Sequence, residues 1–228
     1  MKAMILAAGL GTRLRPITDT IPKALVKVQG IPLIENSIRH LQKNGVNSFI
    51  INIHHFGDQI IDFLGKHNNF GSEITFSDER DQLLDTGGGL KKTAGFFNDN
   101  NPFIIYNVDV VSDLDLSKVV DSHNHSEALA TLVVRNRETS RYFLFNRAME
   151  LSGWENKSTG ERKLTKGGEE NFTAFAFSGI QVVSPAIFPL IIEEGKFSLT
   201  ILYLRLSSKQ KISGFVDKES YWMDTGKP

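Results

Sequence analysis

Cysteine is absent from the 228 residues, which removes disulfides and thiolate chemistry and fits a reducing, cytoplasmic setting. Net charge is absent as well. Lys+Arg and Asp+Glu stand at 26 each, so bulk electrostatics gives no reason to expect nucleic acid or an anionic membrane as partner. No apolar run approaches the ~20 residues that cross a bilayer. The short N-terminal one, although preceded by Lys2, leads into arginines rather than a small-residue cleavage site, so a soluble protein is expected. The six histidines are scattered apart from the neighbours His54 and His55, a poor basis for catalytic zinc. Internal repeats and heptads are missing too, and the length suits one sizeable α/β domain or at most two small ones.

What is present is concentrated at the front. Ala3 to Leu10 is apolar and carries Gly9, with Gly11, Arg13 and Arg15 behind it and Lys23 following Pro22. This reads as a first strand feeding a phosphate-sized loop. Glycines allow positive φ and let backbone N–H groups approach a ligand, and arginine offers the forked donor that anionic oxygens need. The dinucleotide fingerprint fails because Leu14 stands where its third glycine belongs, and the P-loop fails for want of a Lys-Ser/Thr pair behind the second glycine. A polyphosphate site of another kind is expected.

Downstream, strand-like and helix-like segments alternate. Helical spacing of Ile34, Ile38 and Leu41 predicts a helix from Pro32 to Asn44, stopped by Gly45. Ser48 to Ile53 reads as a buried strand, Ile60, Ile61 and Leu64 as a short helix, Ile74 and Phe76 as a further strand, and Leu84 to Gly89 as a second glycine loop. Pro102 to Asn107 is a fourth apolar run, ending in Asn107-Val108-Asp109. The alternation predicts an α/β, Rossmann-like fold: a mainly parallel (mixed) sheet flanked by helices, with ligands at the carboxyl ends of the strands. Gly11, His54, Gly88 and Asp109 are assigned to such ends.

The second half is less regular. A helix is expected over 116–124, strands over 128–134, 142–145 and 174–180, and a late helix through Leu199, Leu202, Tyr203 and Leu206. The polar, glycine-marked stretch 156–171 is either a loop that closes over substrate or a solvated hairpin.

The segment LAAGLGTRLRPIT, followed by PKALVKV, resembles residue by residue the signature of the sugar-1-phosphate nucleotidyltransferases, or nucleotide-sugar pyrophosphorylases, in which LAAGxGTRLxPLT precedes PKxLVxV. The resemblance covers essentially the whole chain and is sharp over residues 1–28, 84–110 and 221–226. It implies the nucleotide-diphospho-sugar transferase type of fold. A single domain over 1–228 is expected, with 1–110 as the nucleotide-binding half and 111–228 as the sugar-binding half. The implied reaction is attack of a sugar 1-phosphate on the α-phosphorus of a nucleoside triphosphate, giving a nucleotide sugar and pyrophosphate. The family's N/G-x-D and W-x-D-x-G segments, matched by Asp109 and Asp224, imply Mg²⁺ as cofactor. That cation takes oxygen ligands and is satisfied by one or two carboxylates plus substrate phosphates. The bland alternative for each aspartate is a turn cap.

The same resemblance assigns Arg13 to the leaving pyrophosphate and Lys23 to the reacting phosphates, with Asp109 as the third catalytic residue. Backbone at Gly11 and Thr12 would cradle the triphosphate. The base would lie against Ala8, Gly9, Gly87 and Gly88, within reach of Glu79 and Gln82, each of which has a plain surface role as its alternative. Arg15 has a weaker claim. Asn107 suits a ribose or sugar hydroxyl, and looser matching puts sugar contacts near Val110, Tyr142, Ser178 and Gly179. Phe172, Phe175 and Phe177 are expected to be strand packing rather than a sugar platform.

Motif order is similar to the N-acetylmuramate 1-phosphate uridylyltransferase branch, so UTP with N-acetylmuramate 1-phosphate is the expected pair, in cell-wall sugar salvage. Mannose-1-phosphate guanylyltransferases and glucose-1-phosphate thymidylyl- or uridylyltransferases are the alternatives. A non-catalytic nucleotide-sugar binding module is the rival class, disfavoured because Arg13, Lys23, Asp109 and Asp224 are all kept, and a dinucleotide-dependent oxidoreductase stands third. The sequence stops four residues after Asp224, where the family continues into a helix. The order of that segment is therefore expected to depend on further chain or on a partner subunit. Oligomeric state is not legible.

Overall fold

The computed structural model describes residues 1–165 and 171–226. Its first half runs β1 (Lys2–Leu6), β2 (Lys27–Val28), β3 (Ile31–Pro32), α1 (Leu33–Lys43), β4 (Ser48–Ile53), α2 (Gly57–Lys66), β5 (Glu73–Asp78), α3 (Asp85–Lys92) and β6 (Phe103–Asn107). The second half adds β7 (Val110–Ser112), α4 (Leu116–Ser126), β8 (Ala130–Arg135), β9 (Arg141–Phe145), β10 (Leu151–Asn156) and β11 (Glu161–Leu164). It closes with β12 (Thr173–Val183), α5 (Leu199–Ser207), β13 (Ile212–Val216) and β14 (Trp222–Asp224). Among the described residues no helix is long and apolar enough to cross a membrane.

The apolar runs form strands buried on both faces. In β1, Ala3 and Ile5 join one core with α1, α2 and α4, while Met4 points to the opposite core with α3 and α5. The two-residue period repeats in β4 and β6, where Ile51 and Ile104 face the first core and Ile50 and Ile105 the second. Strands β5, β4, β1 and β6 lie side by side and parallel, with β1 between β4 and β6. This is the Rossmann-like order, and it brings the loop after β1 beside the loop after β6. The sheet continues antiparallel through β12 against β6, then β9, β10 and β11. The β10–β11 pair is the hairpin alternative for the polar stretch, whose residues 166–170 lie outside the described ones.

Two expectations need correction. Strand β1 stops at Leu6, so Ala7 to Leu10 belongs to the loop. The expected glycine loop at Leu84 to Gly89 is instead the start of helix α3, and Gly88 lies in that helix rather than at a strand end. Three consecutive glycines oppose a helix by propensity, at ~1 kcal/mol each, but close packing demands them. A Cβ on Gly87 would stand 2.4 Å from the Phe197 ring, one on Gly88 2.3 Å from the Gly195 carbonyl, and one on Gly89 2.8 Å from Glu79 Oε1.

Candidate active site

The loop after β1 is held from below. Asn52, at the end of β4, accepts the N–H groups of Ala7 and Ala8 at 2.7 and 3.2 Å. Its own amide donates to Glu79 Oε1 at 2.8 Å, and Glu79 Oε2 accepts the Leu84 N–H at 3.0 Å. Glu79 is buried and ties the β1 loop to the start of α3. These two bonds, one on each oxygen, offset part of the cost of burying the carboxylate.

Gly11 adopts φ +63°, and a Cβ there would stand 2.8 Å from Thr18 Cγ2 and 3.0 Å from Lys23 Cβ. Thr18 Oγ1 donates to the Gly11 carbonyl at 2.9 Å. These contacts fold the loop so that Lys23, buried at its base, donates to Asp109 from the end of β6. Arg13 is exposed and, among the described residues, pairs with no carboxylate. Arg15 forms an exposed pair with Asp19 at 3.2 Å, an arrangement of little energetic weight.

The chain's last described segment completes the group. Strand β14 pairs antiparallel with β7, setting Asp224 opposite Val110, and Thr225 N–H and Oγ1 both donate to the Asp109 carbonyl at 2.9 and 3.0 Å. A Cβ on Gly226 would lie 2.8 Å from Lys23 Nζ, 2.9 Å from Asp109 Oδ2 and 3.1 Å from Arg13 Nη2. Arg13, Lys23, Asp109 and the segment after Asp224 therefore converge on one place. Asp224 Oδ1 accepts the Gly226 N–H at 2.9 Å. Asp109 and Asp224 are both half-buried rather than sealed, which suits a pair of carboxylates that share a divalent cation with phosphate oxygens.

A cavity of about 300 Å³ opens beside this cluster, walled by Ala8, Gly9, Lys23, Glu79, Asn107 and Asp109 among others. A smaller one of about 170 Å³ adjoins it at Gly9, Gly11, Thr12, Arg13 and Lys23. Gly9 faces open space. Gly87 and Gly88 do not face the cavity, because both N–H groups donate to the Phe197 carbonyl at 2.9 and 3.2 Å. Gln82 is exposed and off its wall, which at this point is formed by Leu83, Asp85 and Thr86.

On the other side of Asn107 lies a cavity of about 180 Å³ walled by Phe143, Phe177 and Gln181. Phe177 thus faces this space as well as packing edge-on against Phe143 at 6.0 Å. Tyr142 points to the opposite face of β9 from Phe143, where its hydroxyl accepts the Thr139 N–H at 2.9 Å. Gly179, at φ +79°, brings β12 against Val110 and Asn107. Val110 and Ser178 are both buried, and among the described residues the Ser178 hydroxyl has no partner.

Sequence reasoning missed Asn52, Asp85, Lys196 and Arg137. Lys196 lines the 300 Å³ cavity, brought there because Phe197 N–H donates to the Leu84 carbonyl. Arg137 stacks on Trp222 at 4.5 Å and donates to the Phe177 carbonyl at 3.0 Å. Burial lowers its pKa and the Asp224 charge raises it, the former prevailing. Nothing local in the sequence marks either cation, since long-range contacts position both.

The chain matches the profile of the nucleotidyl transferase family over residues 2–153. It is 32% identical over 234 residues to the N-acetylmuramate alpha-1-phosphate uridylyltransferase of Caulobacter vibrioides, covering 99% of this chain and 92% of that one. It is 31% identical over 232 residues to the mannose-1-phosphate guanyltransferase of Yarrowia lipolytica, covering all of this chain but 61% of that protein. The chain thus spans about three fifths of the curated guanyltransferases it matches. Among solved structures, HddC from Yersinia pseudotuberculosis, complexed with GMP-PN, superposes with a TM-score of 0.76 at 26% identity, covering 100% of this chain and 94% of the other.

Proposed function

The chain belongs to the nucleotidyl transferase family, and on that premise we propose that it transfers a nucleotidyl group from a nucleoside triphosphate to a sugar 1-phosphate. An oxygen of the sugar phosphate attacks the α-phosphorus in line, the bond from that phosphorus to the bridging oxygen breaks, and pyrophosphate leaves with the bonding pair. No protein nucleophile is required. The barrier is largely the approach of two anions, so positioning and fixed positive charge supply the catalysis. The observation that carries this reading is the convergence of Arg13, Lys23 and Asp109 around Gly226 beside the 300 Å³ cavity.

Arg13, exposed and, among the described residues, paired with no carboxylate, receives the departing pyrophosphate. Lys23 neutralises the phosphates between which the new bond forms, and its exchange between Asp109 and a phosphate oxygen is a short movement. The Gly9 side of the loop admits the base and the triphosphate, and Asn107 turns to a ribose or sugar hydroxyl at the junction of two cavities. Asp109 and Asp224 would hold Mg²⁺, which supplies charge neutralisation of phosphate oxygens when bound.

UTP with N-acetylmuramate 1-phosphate is the preferred pair, supported by a Caulobacter relative of that name that matches along 92% of its length. GTP with mannose 1-phosphate is the second reading, favoured by the Yarrowia relative. Pyrophosphate release with Mg²⁺, across a grid of five nucleoside triphosphates and the 1-phosphates of N-acetylmuramate, mannose, glucose and N-acetylglucosamine, tests both. One strong pair identifies the substrate, and silence across the grid overturns the enzymatic reading.

A further inference from the structure

The space that begins at the phosphate cluster does not end at the sugar. The 300 Å³ and 180 Å³ cavities share Leu6, Thr86 and Asn107. The 180 Å³ cavity in turn shares Thr200 with a third, of about 370 Å³, which also meets the first at Asp85. Shared lining residues thus link the three from Asp109, past Asn107, to the outer strands of the sheet.

The far segment is cationic. Trp154 stands opposite both Phe143 and Lys163 in the strand registers, and Arg141 is two residues before Phe143, so the four side chains share one face of β9, β10 and β11. Arg141, Trp154 and Lys163 wall the third cavity against the first turn of α5. Among the described residues, Arg141 makes no hydrogen bond or ion pair with another side chain. Among the described residues Lys163 pairs only with Glu161, at 2.9 Å and with both partners about half exposed, a pairing readily exchanged for a better one. The carboxylate on this wall is Asp85, whose Oδ1 accepts the Thr86 N–H at 2.6 Å. A hexose ring with hydroxyls alone gives a guanidinium and an ammonium nothing to neutralise. A carboxylate on a short side arm does: it accepts the planar fork of Arg141, with Lys163 as second cation and the Trp154 ring as apolar wall.

Building on the proposed nucleotidyl transfer, we infer that the sugar 1-phosphate taken by this site carries a second anion, a carboxylate on the sugar, and that Arg141 and Lys163 receive it. The two residues then determine sugar specificity without touching the reacting phosphorus.

The test compares N-acetylmuramate 1-phosphate with N-acetylglucosamine 1-phosphate, which differ by the carboxylate-bearing ether. Wild type and an Arg141→Gln, Lys163→Gln double variant are measured both by calorimetric binding and by pyrophosphate release. Both side chains are exposed, so the variant keeps its fold, checked by its Tm. Wild type is expected to bind the carboxylated sugar at least about tenfold more tightly, in line with the strength of charge-assisted hydrogen bonds, and the variant to bring the ratio to about one. Equal affinity in wild type, an unchanged ratio in the variant, or no detectable binding of either sugar overturns the inference. Discrimination in binding with no pyrophosphate released from any pair upholds it and overturns the nucleotidyl-transfer reading instead. Turnover without discrimination does the reverse.

Discussion

The Lys23 ammonium donates to Asp109 Oδ2 across 86 residues of sequence. The two side chains are 10% and 16% exposed, so each depends on the other for charge compensation. Removing one member of such a pair leaves an uncompensated charge in a poorly solvated place. Lys23→Ala is therefore expected to lower stability by about 1–3 kcal/mol, less than for a fully sealed pair, as well as to lower turnover by about 10³-fold. Lys23→Ala with Asp109→Asn should recover much of the urea midpoint and none of the turnover. Recovery of pyrophosphate release in the double variant would remove both residues from the chemistry.

Asp224 contributes through what it could hold rather than through packing, since it is half-buried and its recorded hydrogen bond is to the nearby Gly226 N–H. Asp224→Asn should leave the thermal midpoint nearly unchanged. The Mg²⁺ concentration for half-maximal pyrophosphate release is expected to rise by about tenfold or more. An unaltered Mg²⁺ dependence would exclude Asp224 as a ligand.

Two helical glycines should respond to alanine in opposite directions. Gly65 in α2 has open space where a Cβ would stand, whereas a Cβ on Gly88 in α3 would sit 2.3 Å from a backbone carbonyl. Gly65→Ala is expected to stabilise by about 0.5–1 kcal/mol. Gly88→Ala is expected to cost about 2 kcal/mol or more, because the 195–197 segment must move away. Equal and favourable shifts in the two denaturation curves would contradict the packing described for α3.

Acid should destabilise the fold through two histidines. Burial lowers the pKa of His40, with help from Lys43, and that of His123, each from 6.5 to about 4. Above pH 6.5 both states are neutral; between about 6.5 and 4 the unfolded chain takes up protons that the native chain refuses. Stability therefore falls with falling pH through that window, by up to about 3 kcal/mol at the buried His123. His123→Gln, which can still meet the Thr131 hydroxyl held at 3.0 Å, should flatten part of the slope of urea midpoint against pH. An unchanged slope would assign the acid sensitivity elsewhere.

Much of the first half is legible because its signals are local. Continuous apolar runs give β4 and β6, helical spacing gives α1, and the glycine and cation pattern gives the β1 loop. The helix over 85–92 is hidden because Gly87 and Gly88 answer to Phe197 and Gly195, more than a hundred residues away, and propensity says nothing of such partners. The second half is less legible because of the two-residue period of strands. Tyr142 lies on the face of β9 opposite to Phe143 and Arg141, and which of the two faces borders a cavity is not written in the local sequence. Lys196, Arg137 and Asn52 carry no motif, and only the fold gives them neighbours.

The pairing of β14 with β7 also orders events in time. A loop formed by the first two dozen residues meets the segment after β14 only when residues beyond 220 arrive, and closing so long an interval is among the slower steps of assembly. At about 5–20 residues per second, a nascent chain on the ribosome would carry its β1 loop for roughly 10–40 s before Asp224 exists to meet it. On the proposed reaction, the appearance of turnover during refolding should therefore lag behind the recovery of secondary structure.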